Sequence, residues 1–538
     1  MGSEGLRSWG EASPGEPDEP RRATARAEAD AAGTDGEQGS RRAEKGRRFA
    51  SHPKAVSAHL TWHGTTGAAR RDGEGPEPSF GYVATAGHVD IREDDGKPIG
   101  SMFCLTYVRD GFEGDPAARP VTFAFNGGPG SASVPVNVGG IGLRIVAPNG
   151  DRRIGPAPFD IVDNPDTLLA DSDLVFVDAL GTGWSELAEG VKGKRAWGVD
   201  ADAECFARFV EAWLELTGRY NSPLYLFGES YGTTRCAVLA RILEQRGIAL
   251  SGIVMLSSIF DWAPTNPGND ANYVELLPTY AAIARYHGRS HALADRSDDE
   301  LFEEASRFAE ERLAPALLRG DRLDAATEAE LAGRMGELIG LPAELLRDRH
   351  LRVELTDFRS ELLRDEGLVC GRLDGRFAFE RGNFLQTSRE GRPEEDPSDS
   401  ALNAAWTHAW HQVVSGEIGY RNPRPYLVSN YDRIGPKWDF THTGAGVLWE
   451  STSPNVAYDL AFAMRHNPLL RVLFVGGRYD LATPFLGTVE DVSRMYLGDR
   501  IKGNIGWRLY DSGHMVYENP QARARMARDV EEFFSLGR

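Results

Sequence analysis

Leu224-Tyr225-Leu226-Phe227-Gly228-Glu229-Ser230-Tyr231-Gly232 is the stretch that decides the fold. Its four leading apolar residues read as a buried strand, and residues 233–245 that follow carry helical spacing. Between the two lies a G-x-S-x-G pentapeptide. Glycine accounts for 60 of the 538 residues, so the pentapeptide alone carries little weight. Its setting carries the argument. Strand, sharp turn and helix are the context in which a serine is held exposed above a sheet, at the positive end of a helix. The glycines allow the chain to turn sharply and neighbouring backbone to come close.

The same texture extends outward from this point. VTFAFN at 121–126, DLVFVD at 173–178 and the apolar runs at 250–256, 471–475 and 505–510 read as strands. Residues 200–216 have Phe206, Phe209, Val210 and Trp213 at three- and four-residue spacing, and 519–536 is an amphipathic helix. Strands alternating with helices predict an α/β domain with a mostly parallel sheet, whose loops and site lie at the strands' carboxyl ends. Two further strands, 81–91 and 100–107, are joined by the turn-type cluster Glu93-Asp94-Asp95-Gly96. Residues 262–467 break the alternation with long helical stretches at 299–318 and 327–339, which predicts a mainly helical cap. Ser453-Pro454 is expected to open one of its last helices as an N-cap and N1 pair. Glu490 and Asp491 are expected on a surface helix. Residues 1–75 are rich in Gly, Ala, Glu, Arg and Pro and hold few large apolar groups, which predicts a disordered extension, with 50–63 packing onto the domain. The expected layout is therefore extension (1–75), first part of the core (76–261), helical cap (262–467) and second part of the core (468–538).

Composition excludes several classes. Sixty Lys and Arg against eighty Asp and Glu give a net charge of −20, which argues against nucleic-acid binding and against docking on anionic lipid. No apolar run approaches the roughly 18 residues of a membrane span. Cys104, Cys205, Cys236 and Cys370 are scattered and form no CxxC pair, so neither a disulfide scaffold nor a zinc site is expected, and a reducing compartment is. The first seventy or so residues hold no apolar core of a secretion signal, so cytoplasmic placement is expected. His408 and His411 stand at i, i+3, but Trp406 and Trp410 beside them point to packing. No metal and no cofactor is expected.

A serine hydroxyl needs an adjacent base to act as a nucleophile. In α/β-hydrolases the partners follow in the order serine, acid, histidine. Asp480, in Gly477-Arg478-Tyr479-Asp480, follows the penultimate strand, and His514, in Asp511-Ser512-Gly513-His514, follows the last. Ser230, His514 and Asp480 are thus the expected nucleophile, base and orienting acid. Asp178 precedes the serine, out of that order, and reads as a loop-fixing residue. The segment Asn126-Gly127-Gly128-Pro129-Gly130 ends a strand and can aim backbone N–H groups at a developing oxyanion. No Lys-Ser/Thr follows it, so it is not a phosphate-binding loop.

Four blocks in this order resemble the serine carboxypeptidases, a peptidase family of the α/β-hydrolase fold. They are NGGPGSAS at 126–133, DLVFVDALGTGWS at 173–185, GESYG at 228–232, and the pair GGRYDLATP and GHMVYENP around Asp480 and His514. The short DALGTGWS and the few cysteines look like the family's bacterial branch. The resemblance implies an α/β-hydrolase fold, the triad Ser230, Asp480 and His514, and an oxyanion hole from the N–H groups of Gly128 and Tyr231. It also implies recognition of a peptide's terminal carboxylate by Asn126 and Glu229, with Gly127 beside them. Two carboxylates can share such a site when one carries a proton. Many members supply a second glutamate to pair with the first; that position here is Gly140, and no acidic residue lies between Gly127 and Gly150. Glu229 is therefore expected to be without such a partner, or to find one in the cap. The implied reaction is removal of C-terminal residues through an acyl-enzyme. An esterase or acyltransferase on the same machinery is the alternative, and a hydrolase-like binding protein without activity is the third reading.

Overall fold

The computed structural model describes residues 47–64, 79–112, 114–147, 157–381 and 396–536. Within them the strand that precedes the G-x-S-x-G turn lies inside a mixed sheet. In spatial order the sheet runs β1 (Val56–Trp62), β2 (Phe80–Arg92), β3 (Pro98–Arg109), β5 (Asp173–Val177), β4 (Val121–Phe125), β6 (Leu224–Glu229), β7 (Gly252–Leu256), β8 (Arg471–Gly477) and β9 (Ile505–Tyr510). The pairs from β1 through β3 to β5 are antiparallel, and every pair from β5 to β9 is parallel. The parallel strands β4 to β7 are buried along their whole length, which is why they read as unbroken apolar runs.

The helices used below are, in chain order, α1 (Val199–Thr217), α2 (Tyr231–Gln245), α3 (Ala271–Tyr286), α4 (Asp298–Phe308), α5 (Ala325–Ile339), α6 (Pro397–His411), α7 (Ala457–His466), α8 (Phe485–Ser493) and α9 (Pro520–Ser535). One face of the sheet is covered by α1, α2 and α7, with Phe206, Val210 and Trp213 of α1 packed on Phe123 and Phe125 of β4. Burying side chains of this size stabilises the fold by about 1.5–3 kcal/mol each. The other face is covered by α6, α9 and the π-helical segment Pro135–Ile141. A third cluster gathers α3, α4 and α5 and closes onto Tyr479, Leu481 and Leu486, which follow β8. Sheet, crossovers and layers make this an α/β-hydrolase fold.

Several details depart from the expectations. The described part of the expected extension, 47–64, packs onto the domain as expected for 50–63, but as a strand the sequence reading did not assign: β1 pairs with β2 and its burial alternates, while the rest of 1–75 lies outside the described residues. Ser453-Pro454 opens no helix. The Pro454 carbonyl accepts from Trp262 N at 3.0 Å, and α7 starts three residues later, after the Asn455 side chain accepts from Ala457 N. Helix α7 packs on α2 against the sheet, although it precedes the boundary expected at 468. Asp491 lies on a helix, as expected, but it is buried rather than on the surface: its carboxylate accepts from Asp261 N at 3.1 Å. No helix among the described residues is long and apolar enough to cross a membrane.

Candidate active site

The turn after β6 holds Ser230 at φ 59°, ψ −128°, a left-handed conformation that costs a non-glycine residue about 1–3 kcal/mol. Its surroundings impose the turn. Ser230 N donates to the Leu256 carbonyl at 2.9 Å, pinning the turn to the end of β7, and Tyr231 starts α2 at once. Gly228 admits no side chain: a Cβ there would lie 2.4 Å from the Gly232 carbonyl oxygen and 2.6 Å from Cys236 Sγ. The serine therefore stands between the carboxyl end of β6 and the amino end of α2.

Asp480 and His514 come from the loops after β8 and β9. His514 Nδ1 donates to Asp480 Oδ2 at 2.8 Å, and both side chains are buried. Asp480 also accepts from Ala482 N, Thr483 N and Thr483 Oγ1, at 2.8, 3.1 and 2.7 Å, so its carboxylate is fixed on every side. Burial on its own would lower the His514 imidazole. The charge and hydrogen bond of Asp480, with Glu229 nearby, hold it above the usual histidine value instead. The ring's backbone is anchored as well: Ser257 Oγ donates to the His514 carbonyl at 2.6 Å, and His514 N donates to Leu373 O at 2.6 Å.

The Asn126–Gly130 loop after β4 lies against the serine turn. A Cβ on Gly127 would meet Tyr231 N at 2.4 Å. Among the described residues, neither Gly128 N nor Tyr231 N donates to a protein acceptor, and Tyr231 N is one of the free amides that a helix start always leaves. Helix α2 also fixes this loop. Its buried Arg235 donates to the Asn126 carbonyl at 2.9 Å and pairs with Asp202 of α1 at 2.6 Å. The Asn126 side-chain oxygen accepts from Val136 N at 2.9 Å.

Glu229 is the last residue of β6 and is buried. Its Oε2 accepts from Tyr517 Oη at 2.6 Å. The partner is thus a phenol from the 3-10 turn Val516–Glu518, three residues past His514, and not a group from the cap. Its ring occupies the space above Gly140, where a Cβ would stand 3.0 Å from Tyr517 Cδ1. Burial pushes the Glu229 carboxyl up to about 7, opposed by His514, by the Tyr517 hydrogen bond and by Asn126.

The structure brings Ser230, Glu229, Asn126, Gly127, Gly128, Tyr231, Asp480 and His514 to one end of the sheet. Asp178 lies off this group: it accepts from Ser133 N at 2.9 Å and Tyr426 Oη at 2.7 Å, tying the loop after β4 to the segment after α6. His408 and His411 face different rings, Phe159 and Tyr426. The sequence reading missed Tyr517, Thr483, Ser257 and Arg235. Tyr517 and Thr483 stand inside the quoted motif blocks, which was the available signal; Ser257 and Arg235 carried none.

Comparison with known proteins gives three findings. The serine carboxypeptidase family model matches residues 76–262. Serine carboxypeptidase-like 44 of Arabidopsis thaliana is 29% identical over 172 residues, covering 31% of this chain and 32% of the relative. The chain therefore aligns with about a third of the length of that curated relative. The crystal structure of Kex1(delta)p, a prohormone-processing carboxypeptidase from Saccharomyces cerevisiae, superposes with a TM-score of 0.50 at 13% identity, over 84% of this chain and 91% of that one.

Proposed function

We propose that the chain, whose residues 76–262 match the serine carboxypeptidase family model, is a member of that family and a serine hydrolase that removes C-terminal residues from peptides. The observation that carries this reading is the His514–Asp480 pair, hydrogen-bonded at 2.8 Å at the sheet end where Ser230 stands in its strained turn. In the proposed mechanism Ser230 Oγ attacks the last peptide carbonyl and gives its proton to His514 Nε2. Asp480 holds the Nδ1–H tautomer and stabilises the imidazolium. The negative oxygen of the tetrahedral intermediate lies against the N–H groups of Gly128 and Tyr231. His514 then protonates the departing amine, and water, activated by the same imidazole, releases the acyl group. Asn126 and protonated Glu229 receive the substrate's terminal carboxylate. The helices α3 to α5 form the cap, which bounds the side-chain pockets. Four unpaired, buried cysteines fit a reducing compartment.

The test is fluorophosphonate labelling followed by peptide mapping, together with amino-acid release from an N-blocked peptide. The label is expected on Ser230, and the labelled protein is expected to release no amino acid. Ser230→Ala should lower kcat by about 10⁶-fold. Undiminished release after complete labelling would overturn the reading.

A further inference from the structure

Glu229 is a buried carboxyl with one hydrogen-bonding neighbour whose chemistry admits a single role. Tyr517 is fully buried, and burial beside Glu229 pushes its phenol well above the ordinary tyrosine value, so the hydroxyl stays protonated. Its proton points at Glu229 Oε2, 2.6 Å away. A phenol that donates to a carboxylate favours the ionised form. The phenol is seated on Gly140: the ring lies 3.0 Å from where a Cβ would stand, so a side chain there would force it to give by a few tenths of an ångström. The titratable groups facing Glu229 are His514 and Asp480 from the loops after β9 and β8, and Tyr517 and Glu518 from the turn after His514.

We propose that Tyr517 is a positioning residue for substrate recognition, and that its hydroxyl, seated on Gly140, sets the upper pH limit at which this enzyme accepts peptides with a free C-terminal carboxylate. The inference rests on the reading that Glu229 meets that carboxylate. Protonated Glu229 donates a hydrogen bond to it; ionised Glu229 repels it. Affinity for free-acid peptides therefore falls as pH rises through the Glu229 titration near 7. Removing the Tyr517 hydroxyl withdraws support from the ionised form, so the fall moves to higher pH. The site then accepts free acids over a wider range.

The experiment measures KM against pH from 5 to 9 for a peptide and its C-terminal amide, with wild type, Tyr517→Phe, Gly140→Ala and Glu229→Gln. The expected wild-type result is a fall of 1/KM near pH 7 for the free acid and none for the amide. Tyr517→Phe should move the fall upward by at least half a pH unit. Gly140→Ala, whose methyl crowds the ring and lengthens its hydrogen bond to Glu229, should move it the same way by a smaller amount and keeps the test open if Tyr517→Phe does not fold. Glu229→Gln should abolish the fall. A fall that persists in Glu229→Gln overturns the role of Glu229 itself. A fall that vanishes in Glu229→Gln but stays in place in both other variants overturns the Tyr517 inference alone.

Discussion

Two protons act in opposite directions at the residue scale. The proposed mechanism needs a neutral His514, whose imidazole is held above the usual histidine value. In the proposed reading, binding of a terminal carboxylate needs a protonated Glu229, whose carboxyl is pushed up to about 7. The acid side of the profile belongs to His514 losing its proton and the alkaline side to Glu229 losing its own. For free-acid peptides kcat/KM is therefore expected to be bell-shaped, with its alkaline limb near 7, and the two groups titrate as a pair. C-terminal amides should show the rising limb alone. A bell of the same shape for amides would assign the alkaline limb to another group. In the proposed mechanism Asp480 supports one tautomer of the base, so Asp480→Asn should cut kcat by about 10⁴-fold while the melting profile stays close to wild type. Single-turnover acylation of an activated ester would measure it.

At the scale of elements, the turn between β6 and α2 has no slack. Gly228→Ala places a methyl against backbone and should destabilise by roughly 1–3 kcal/mol, with loss of fluorophosphonate labelling, read by denaturant unfolding and by gel. A second element-level device is His442. Its Nδ1 faces Asp200 of α1 at 2.6 Å and its Nε2 faces Asp459 of α7 at 2.9 Å, while Arg241 of α2 also pairs with Asp459. Burial would lower this imidazole, but hydrogen bonds to the two carboxylates and their charges raise it to about 9. A folded value above the unfolded 6.5 means stability fully present below pH 6.5 and lost as pH rises through 9. The melting temperature should fall between pH 6.5 and 9.5, and His442→Gln should flatten that fall. An equal slope in the variant would remove His442 from the account. These elements also mark what sequence reading reaches. The apolar runs of β4 to β7 and the serine turn are local patterns, and they were legible. β1 is an edge strand whose inward side chains are spaced two apart, Asp491 is buried by the chain passing at Asp261, and α7 begins where Trp262 holds Pro454. Each of these depends on a segment distant in sequence.

At the scale of the molecule, the helical segment does more than bound the site. The turn that joins the short paired strands Leu368–Cys370 and Ala378–Glu380 runs along the loops that carry Asp480 and His514: the Arg372 carbonyl accepts from Leu481 N at 3.1 Å and the Leu373 carbonyl from His514 N at 2.6 Å. Buried Asp374 fixes this connection through Arg376, which in turn donates to the Asp511 carbonyl at 2.8 Å. Asp374→Ala leaves the Arg376 charge uncompensated and should cost about 3–5 kcal/mol, with a drop in kcat that tracks the loosened histidine loop. Denaturant unfolding and steady-state rates together check this. The proposed triad could be read from the sequence because Ser230, Asp480 and His514 stand at strand ends in the order serine, acid, histidine. Tyr517 as Glu229's partner was not, because it depends on the space over Gly140, which only the folded chain defines. The central claim is a serine mechanism with C-terminal specificity. The most direct test incubates an unbiased peptide mixture with wild type and with Ser230→Ala at neutral pH and reads the products by mass spectrometry. Successive single-residue losses from the C-terminus, present with wild type and absent with the variant, are the predicted result. Cleavage confined to internal or N-terminal bonds, or C-terminal losses that survive Ser230→Ala, would contradict it.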